Sequence, residues 1–87
     1  MTPTEYLARV RTTANLIGRY LDPEDVAQAH RFIDFGEPAE GLCSLAWALV
    51  TAEVSVPKDL IDAIQSLTAS MIDESHMPPN LTDFGVE

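Results

Sequence analysis

The hydrophobic and polar residues of this chain recur with the period of an α-helix, and helix-starting residues mark each junction. Apolar residues in the first twenty positions are spaced three and four apart, as expected for one buried helix face. We expect this helix to start at Thr2 and Pro3, with Glu5 completing a capping box, and to end near Tyr20. Its predicted buried face consists of Tyr6, Leu7, Val10, Ala14, Ile17 and Leu21.

A second helix is predicted from Pro23 to Phe35. Asp22 repeats the N-cap signal, and Gly36 is expected to end the helix. The residues predicted to face the core are Val26, Ala29, His30 and Ile33, with Phe32 widening the apolar face to one side.

The third predicted helix runs from Pro38 to about Ala52 and is apolar around more than half of its circumference. Its apolar arc consists of Ala39, Leu42, Cys43, Leu45, Ala46, Trp47, Leu49 and Val50. The remaining strip consists of Glu40, Gly41, Ser44, Ala48 and Thr51. A helix of this kind must be covered on several sides, so we expect it to be the central helix.

Pro57 is expected to start a fourth, amphipathic helix. Its predicted buried face is Leu60, Ile61, Ile64, Leu67, Met71 and Ile72, and its exposed face is Asp59, Asp62, Ser66 and Asp73. The prolines at 78 and 79 cannot continue a helix, although Leu81 and Phe84 could dock the segment that contains them. No strand pattern is present. The sequence therefore predicts an all-α fold, a compact antiparallel bundle of four helices in residues 1–73, with an irregular C-terminal tail in residues 74–87.

Length and cysteine content narrow the class of protein. The 87 residues suffice for one domain, and a single cysteine, Cys43, excludes an internal disulfide and suits a reducing compartment. The first 21 residues mix charged with apolar side chains, unlike a signal peptide, and no apolar run approaches the roughly 18 residues of a membrane span. We therefore expect a cytoplasmic protein that is not anchored in a membrane.

The negative charge of the chain is regional. Residues 1–21 contain three arginines and one glutamate, a sum of +2, whereas residues 22–87 contain Arg31 and Lys58 against thirteen acids, a sum of −11. An acidic surface repels phosphate, so nucleic acids and anionic membranes are disfavoured as partners, while a basic protein would be attracted. A solvated surface that only keeps the protein soluble is the alternative explanation.

Candidate catalytic and metal-binding residues are few. His30 and Asp34 lie four residues apart and could supply two metal ligands, but no further ligand lies at a matching spacing, and His30 is more simply a hydrogen-bonded residue at the edge of the core. Cys43 has only Ala39, Ala46 and Trp47 within one helical turn, which indicates a packed thiol rather than a nucleophile. We expect no metal, no cofactor and no enzymatic activity.

Trp47 has two possible roles. It lies at the edge of the apolar arc of the third helix, next to polar positions. Large aromatic residues in small bundles are mostly packed in the core, which favours a core role. Tryptophan is also enriched at the centres of protein interfaces, so Trp47 is retained as a candidate partner contact.

Several stretches resemble a known family. They are Leu21-Asp22-Pro23-Glu24-Asp25, then Phe32-Ile33-Asp34-Phe35-Gly36-Glu37-Pro38, then Leu42, Leu45 and Leu49, then Val54-Ser55-Val56-Pro57. Over about residues 20–72 the chain resembles the small helical immunity proteins of bacterial polymorphic toxin systems, and the MafI-type family in particular. In that family a helix ends at a Gly-Glu break, an apolar helix follows, and a proline starts the next. Trp47 and the segment after Pro79 depart from the family pattern.

The resemblance implies a stoichiometric inhibitor of a cognate toxin, such as a basic nuclease. We expect the free protein to be a monomer or a weak homodimer. From their positions on the helices, the candidate partner contacts are Asp59, Asp62, Asp73, Glu24, Asp34 and Trp47. The alternative is a non-catalytic adaptor or scaffold that packs through the third helix. An enzyme is the weakest alternative, because it would need an acid or a thiol, such as Cys43, with a perturbed pKa in a cleft. A DNA-binding helix-turn-helix is disfavoured because the third helix presents leucines and Trp47 rather than basic or amide side chains.

Overall fold

Four α-helices form at the positions that the sequence indicates. They are α1 (Pro3–Ile17), α2 (Pro23–Asp34), α3 (Pro38–Ala52) and α4 (Lys58–Thr68), in a computed structural model that describes residues 1–87. Three 3₁₀ turns (Gly18–Tyr20, Glu74–His76 and Leu81–Phe84) and two short strands, β1 (Val56–Pro57) and β2 (Gly85–Val86), complete the chain. The all-α bundle with a C-terminal tail is confirmed. The predicted extension of the first helix to Tyr20 consists of a 3₁₀ turn, a common form of a last helical turn.

The starts of the helices match the predicted caps only in part. The Thr2 side-chain oxygen accepts a hydrogen bond from the Glu5 backbone N–H at 3.1 Å, which is one of the two hydrogen bonds of the predicted capping box. Asp22 occupies the N-cap position of α2 but makes no capping hydrogen bond through its side chain. Pro57 lies in β1, and α4 begins one residue later.

The break between α2 and α3 is a Schellman motif centred on Gly36. The Glu37 N–H donates to the Phe32 carbonyl at 2.8 Å and the Gly36 N–H donates to the Ile33 carbonyl at 3.3 Å. Gly36 has a φ of 86°, a conformation that a side chain makes costly. The predicted helix end at Gly36 is therefore confirmed, and it fixes the direction in which the chain leaves α2.

Helix α3 lies at the centre of the bundle and packs against α1, α2, α4 and the C-terminal tail. It supplies the largest share of a single apolar core, whose members are Val10, Ala14, Ile17, Ala29, Ile33, Leu42, Leu45, Ala46, Leu49, Val56, Ile61, Ile64, Leu67 and Leu81. The predicted central position of the third helix is correct. No helix of the structure combines the length and the apolar character needed to cross a membrane.

Gly41 is buried, although the helical wheel places it on the polar strip of α3. A Cβ atom at this position would lie 2.8 Å from the Ala29 carbonyl oxygen and 2.8 Å from Cγ1 of Ile33. The missing side chain lets α2 approach α3 closely, and these two helices form the most extensive contact in the fold. The wheel counts glycine as a neutral residue and does not detect a close approach of this kind.

Helix α4 ends at Thr68, earlier than predicted. The N–H groups of Met71 and Ile72 both donate to the Thr68 carbonyl, at 3.0 and 2.9 Å, so the hydrogen-bond ladder stops advancing and the chain turns away. The prediction that Met71 belongs to the buried face is therefore wrong, because its side chain is 60% exposed. Asp73, predicted on the outer face of the same helix, lies beyond its end.

The C-terminal tail (residues 74–87) folds back onto the bundle. Leu81 is only 2% exposed and belongs to the core, and Phe84 is half-buried, as predicted. Strand β2 pairs in parallel with β1, with Val56 opposite Gly85. The sequence showed no strand pattern because a two-residue strand is too short to display alternation.

Candidate functional site

The predicted contact residues Asp59 and Asp62 lie on the solvent side of α4. They are one helical turn apart in the first half of the helix, and both are exposed. The only ion pair in the structure joins other residues, so neither carboxylate is neutralised by a partner. The one nearby basic residue in sequence is Lys58, which starts the helix.

Asp73 serves as the cap of the 3₁₀ turn Glu74–His76. Its carboxylate accepts hydrogen bonds from the Ser75 N–H at 2.9 Å and from the Ser75 hydroxyl at 2.8 Å. These bonds hold the pKa of Asp73 below its usual value, because they stabilise the charged form. Asp73 is thus a fixed, ionised carboxylate on the surface of the tail.

The two candidates on α2 stand apart from those on α4. Glu24 lies in the first turn of α2 and Asp34 is its last residue. Asp34 pairs with Arg11 at 3.1 Å, and both side chains are exposed, so the pair contributes at most about 1 kcal/mol. Because α2 packs on α3 and α1 without extensive contact with α4, Glu24 and Asp34 do not share a helix face with Asp59 and Asp62.

Trp47 is 43% exposed, so the core role favoured from the sequence is wrong. Its indole Nε1–H donates to the His76 carbonyl at 2.8 Å, and the Cys43 thiol donates to the same oxygen at 3.6 Å. Trp47 therefore fastens the tail to α3 and still presents part of its ring to solvent. Tertiary hydrogen bonding to a distant segment is not visible in a helical wheel.

Cys43 is buried, in keeping with the packed thiol that the sequence indicates. Burial, and after it the nearby Glu40 carboxylate, raises the pKa of Cys43, which keeps the thiol protonated and a poor nucleophile. His30 is half-buried at the edge of the core, and the hydrogen bond predicted for its side chain is not present. Groups of three or more His, Cys, Asp or Glu residues that could hold a metal ion are absent.

Phe35, whose side chain is 83% exposed, is not among the contact residues predicted from the sequence. Phe35 is the C-cap residue of α2, immediately before Gly36, so it lies where the helical wheel no longer describes the direction of a side chain. The position of an aromatic residue directly before a Schellman glycine is the signal that could have identified it. Phe35, Met1 and Met71 are the three most exposed large apolar side chains of the chain.

Comparisons of the chain with protein-family models, with curated proteins and with solved structures found no match. The fold and the candidate site define a small all-α protein with an acidic surface and several exposed apolar side chains.

Proposed function

We propose that this chain is an immunity protein, which neutralises a cognate toxin domain by binding it stoichiometrically through an acidic surface. The observation that carries the proposal is the distribution of charge over residues 53–87, in which α4 and the tail pack against each other. Residues 53–87 contain seven acids and one lysine, and all seven acids are exposed. They are Glu53, Asp59, Asp62, Asp73, Glu74, Asp83 and Glu87.

This acidic surface suits a basic partner. A nuclease toxin needs a positive cleft to hold a phosphate backbone, and an acidic protein face is attracted to the same cleft. Binding in the cleft, or beside it, blocks access of the nucleic acid. The inhibitor needs no catalytic group for this role, and it would act in the cytoplasm of the cell that makes the toxin.

The adaptor alternative has less support. It requires an uncovered apolar face on α3, whereas α1, α2, α4 and the tail pack on this helix and leave Trp47 as its only exposed large apolar side chain. Trp47, the residue that such an adaptor would use, is partly occupied in holding the His76 carbonyl. An enzyme based on Cys43 is likewise poorly supported, because the raised pKa of this buried thiol opposes nucleophilic attack.

Co-expression tests the proposal directly. The partner to use is the C-terminal domain encoded by the reading frame immediately upstream of this one, because immunity proteins are usually encoded beside their toxins. We expect this domain to arrest growth of the host, and co-expression of the chain to restore it and to yield a one-to-one complex. Growth arrest that persists, with no complex recovered, would refute the immunity function.

The acidic surface is tested by reversing two charges together, in Asp59→Lys/Asp62→Lys. We expect about 10-fold weaker binding of that toxin domain at low salt, mostly through slower association, and a smaller difference at high salt. The neutral variant Asp59→Asn/Asp62→Asn is the graded control and should show a smaller loss. Thermal melts check that both variants stay folded, and equal affinity for all three proteins would exclude this face.

A further inference from the structure

A groove of about 660 Å³ opens where three parts of the chain meet. The first turns of α1, the break between α2 and α3, and the turn after α4 surround it. Its apolar walls come from Met1, Tyr6, Pro38 and Met71, among others, and the Arg11–Asp34 ion pair also lines it. The groove is thus a largely apolar depression with one paired charge at its edge.

Exposed apolar side chains concentrate around this groove. Met1 is 71% exposed and Met71 is 60% exposed, and both line it. Phe35, 83% exposed, lies between two lining residues, Asp34 and Gly36, and borders a neighbouring hollow that Glu37 shares. Neighbouring exposed apolar side chains of this size are typical of interaction sites, whereas single scattered ones are not.

Two of the segments beside the groove are acidic. The segment from Met71 to His76 connects the groove with Trp47, whose indole holds the His76 carbonyl. This segment carries Asp73 and Glu74. The start of α3 adds Glu37 and Glu40, which are also exposed. Two basic side chains lie at the site: Arg11 lines the groove and is paired with Asp34, and Arg31 lines the hollow that Phe35 and Glu37 share. The four carboxylates Glu37, Glu40, Asp73 and Glu74 outnumber the one unpaired arginine.

We propose that this groove, together with Phe35, is the docking centre for a basic protein partner. The partner inserts one of its apolar side chains between Met1 and Met71. Phe35 in turn inserts into a pocket on the surface of the partner. Its lysines or arginines face Glu37, Glu40, Asp73 and Glu74. Charge complementarity selects this occupant over a second copy of the chain, which would bring a further net charge of −9.

The proposal rests on the immunity function and divides the binding between two regions. The carboxylates of the first half of α4 attract the toxin and set its association rate. The groove and Phe35, at the opposite end of α4, hold the docked toxin and set its dissociation rate, because buried apolar anchors dominate the stability of most interfaces.

The first test uses the toxin domain encoded upstream and measures both rate constants. We expect Phe35→Ala to raise the dissociation rate about 30-fold or more, as for an interface hot spot, with little change in the association rate. Met71→Ser should act in the same direction. The matched control is Val86→Ala, which truncates another exposed apolar side chain, in β2, whose partner strand β1 lies directly before α4. Unchanged dissociation rates for both groove variants, from a complex that forms, would overturn the docking site and leave the immunity function standing.

A second test does not depend on the toxin. A library of random 12-residue peptides is selected on the immobilised full-length chain, and the enriched peptides are bound to the variants in solution. Peptides that combine arginine or lysine with a large apolar residue, and that lose binding to Phe35→Ala and Met71→Ser but not to Val86→Ala, support the groove. Absence of enriched peptides, or peptides that bind all variants equally, would overturn it even if the toxin is neutralised.

A third test is sedimentation of the chain alone, which measures its oligomeric state. We expect a monomer at micromolar concentration. A dimer that Phe35→Ala disperses would show that a second copy occupies the groove and would reject the basic partner at this place. If the wild-type chain fails to bind the toxin domain, the immunity function fails, and the peptide selection still decides whether the groove binds basic apolar ligands.

Discussion

At the scale of single residues, Glu53 adopts a backbone conformation that suits glycine. Its φ of 55° places it in the left-handed region, where it ends α3 in the same way that Gly36 ends α2. The Val54 N–H donates to the Leu49 carbonyl at 3.0 Å and the Glu53 N–H donates to the Val50 carbonyl at 3.2 Å, which makes a second Schellman motif. A side chain in this conformation costs roughly 1 kcal/mol.

Replacing Glu53 by glycine should therefore stabilise the protein. We expect Glu53→Gly to raise the free energy of unfolding by about 0.5 to 1 kcal/mol, despite the added freedom of glycine in the unfolded chain. The melting temperature should rise by a few degrees, since about 1 kcal/mol corresponds to roughly 4–8 °C in a domain of this size.

Glu53→Ala is the control, because it removes the same carboxylate and retains a Cβ atom. If the alanine variant is as stable as the glycine variant, the gain comes from the charge and not from the backbone. Thermal and urea denaturation measure the free energy of unfolding of both variants.

Single residues also show where sequence reasoning succeeded and failed. Gly36 was placed correctly because a glycine before Glu-Pro leaves few alternatives to a helix end. The sequence did not predict the roles of Gly41, Trp47 and Phe35. The role of each depends on a segment distant in sequence or on a side-chain direction that the helical wheel does not describe. Gly41 faces Ala29, Trp47 binds His76, and Phe35 follows the last regular turn of α2.

At the scale of elements, α1 and α4 are joined by a hydrogen bond from the Tyr6 hydroxyl to the Leu67 carbonyl. Leu67 lies in the last turn of α4, where carbonyl groups have no partner within the helix. Burial raises the pKa of Tyr6, because the folded protein favours the neutral phenol. The phenol therefore both packs against the core and satisfies a helix end.

Tyr6→Phe tests this junction through its dependence on pH. Since the pKa of Tyr6 is higher in the folded than in the unfolded state, its contribution is complete below about pH 10 and is lost as pH rises through the folded value. We expect the variant to lose about 1 kcal/mol near neutral pH and to show a shallower decline in stability above pH 10.

The control for this experiment is Tyr20→Phe, at a 43% exposed position in the 3₁₀ turn after α1. Urea denaturation at a series of pH values compares the three proteins. An alkaline decline in Tyr6→Phe as steep as that of the wild type would contradict the role assigned to Tyr6.

The existence and order of the helices could be predicted because apolar spacing and proline or glycine punctuation coincide at each junction. The end of α4 could not be predicted from the sequence. The apolar pattern continues through Met71 and Ile72, but the chain must turn before them to bring the tail onto α3. The predicted contacts Asp59 and Asp62 do share a helix face. Asp73 does not share this helix face, because α4 ends before it.

At the scale of the whole molecule, the C-terminal tail is part of the core. Leu81 is buried among residues of the bundle, and the His76 carbonyl covers the Cys43 thiol. The division of the chain into a bundle and a tail describes its secondary structure but not its packing. Loosening the tail should therefore both destabilise the protein and expose the thiol.

Leu81→Ala is expected to lower the free energy of unfolding by about 2–5 kcal/mol, as for other truncations of buried leucine. It should also raise the reaction rate of Cys43 with a disulfide reagent at pH 8, because local opening exposes a thiol that burial otherwise keeps protonated. Thr82→Ala, at the next and exposed residue of the same 3₁₀ turn, should leave both quantities unchanged. An unaltered thiol reaction rate in a destabilised Leu81→Ala protein would show that the tail does not protect Cys43.

The pairing of β1 with β2 also affects how the protein folds during its synthesis. Val56 is fully buried, and its strand partner Gly85 is separated from it by the whole of α4 and most of the tail. Synthesis proceeds from the N-terminus, so the helices emerge from the ribosome before the residues that close their core. Until Leu81 and Gly85 follow, the nascent chain exposes apolar surface at one side of α3, and folding is completed only when this last stretch arrives.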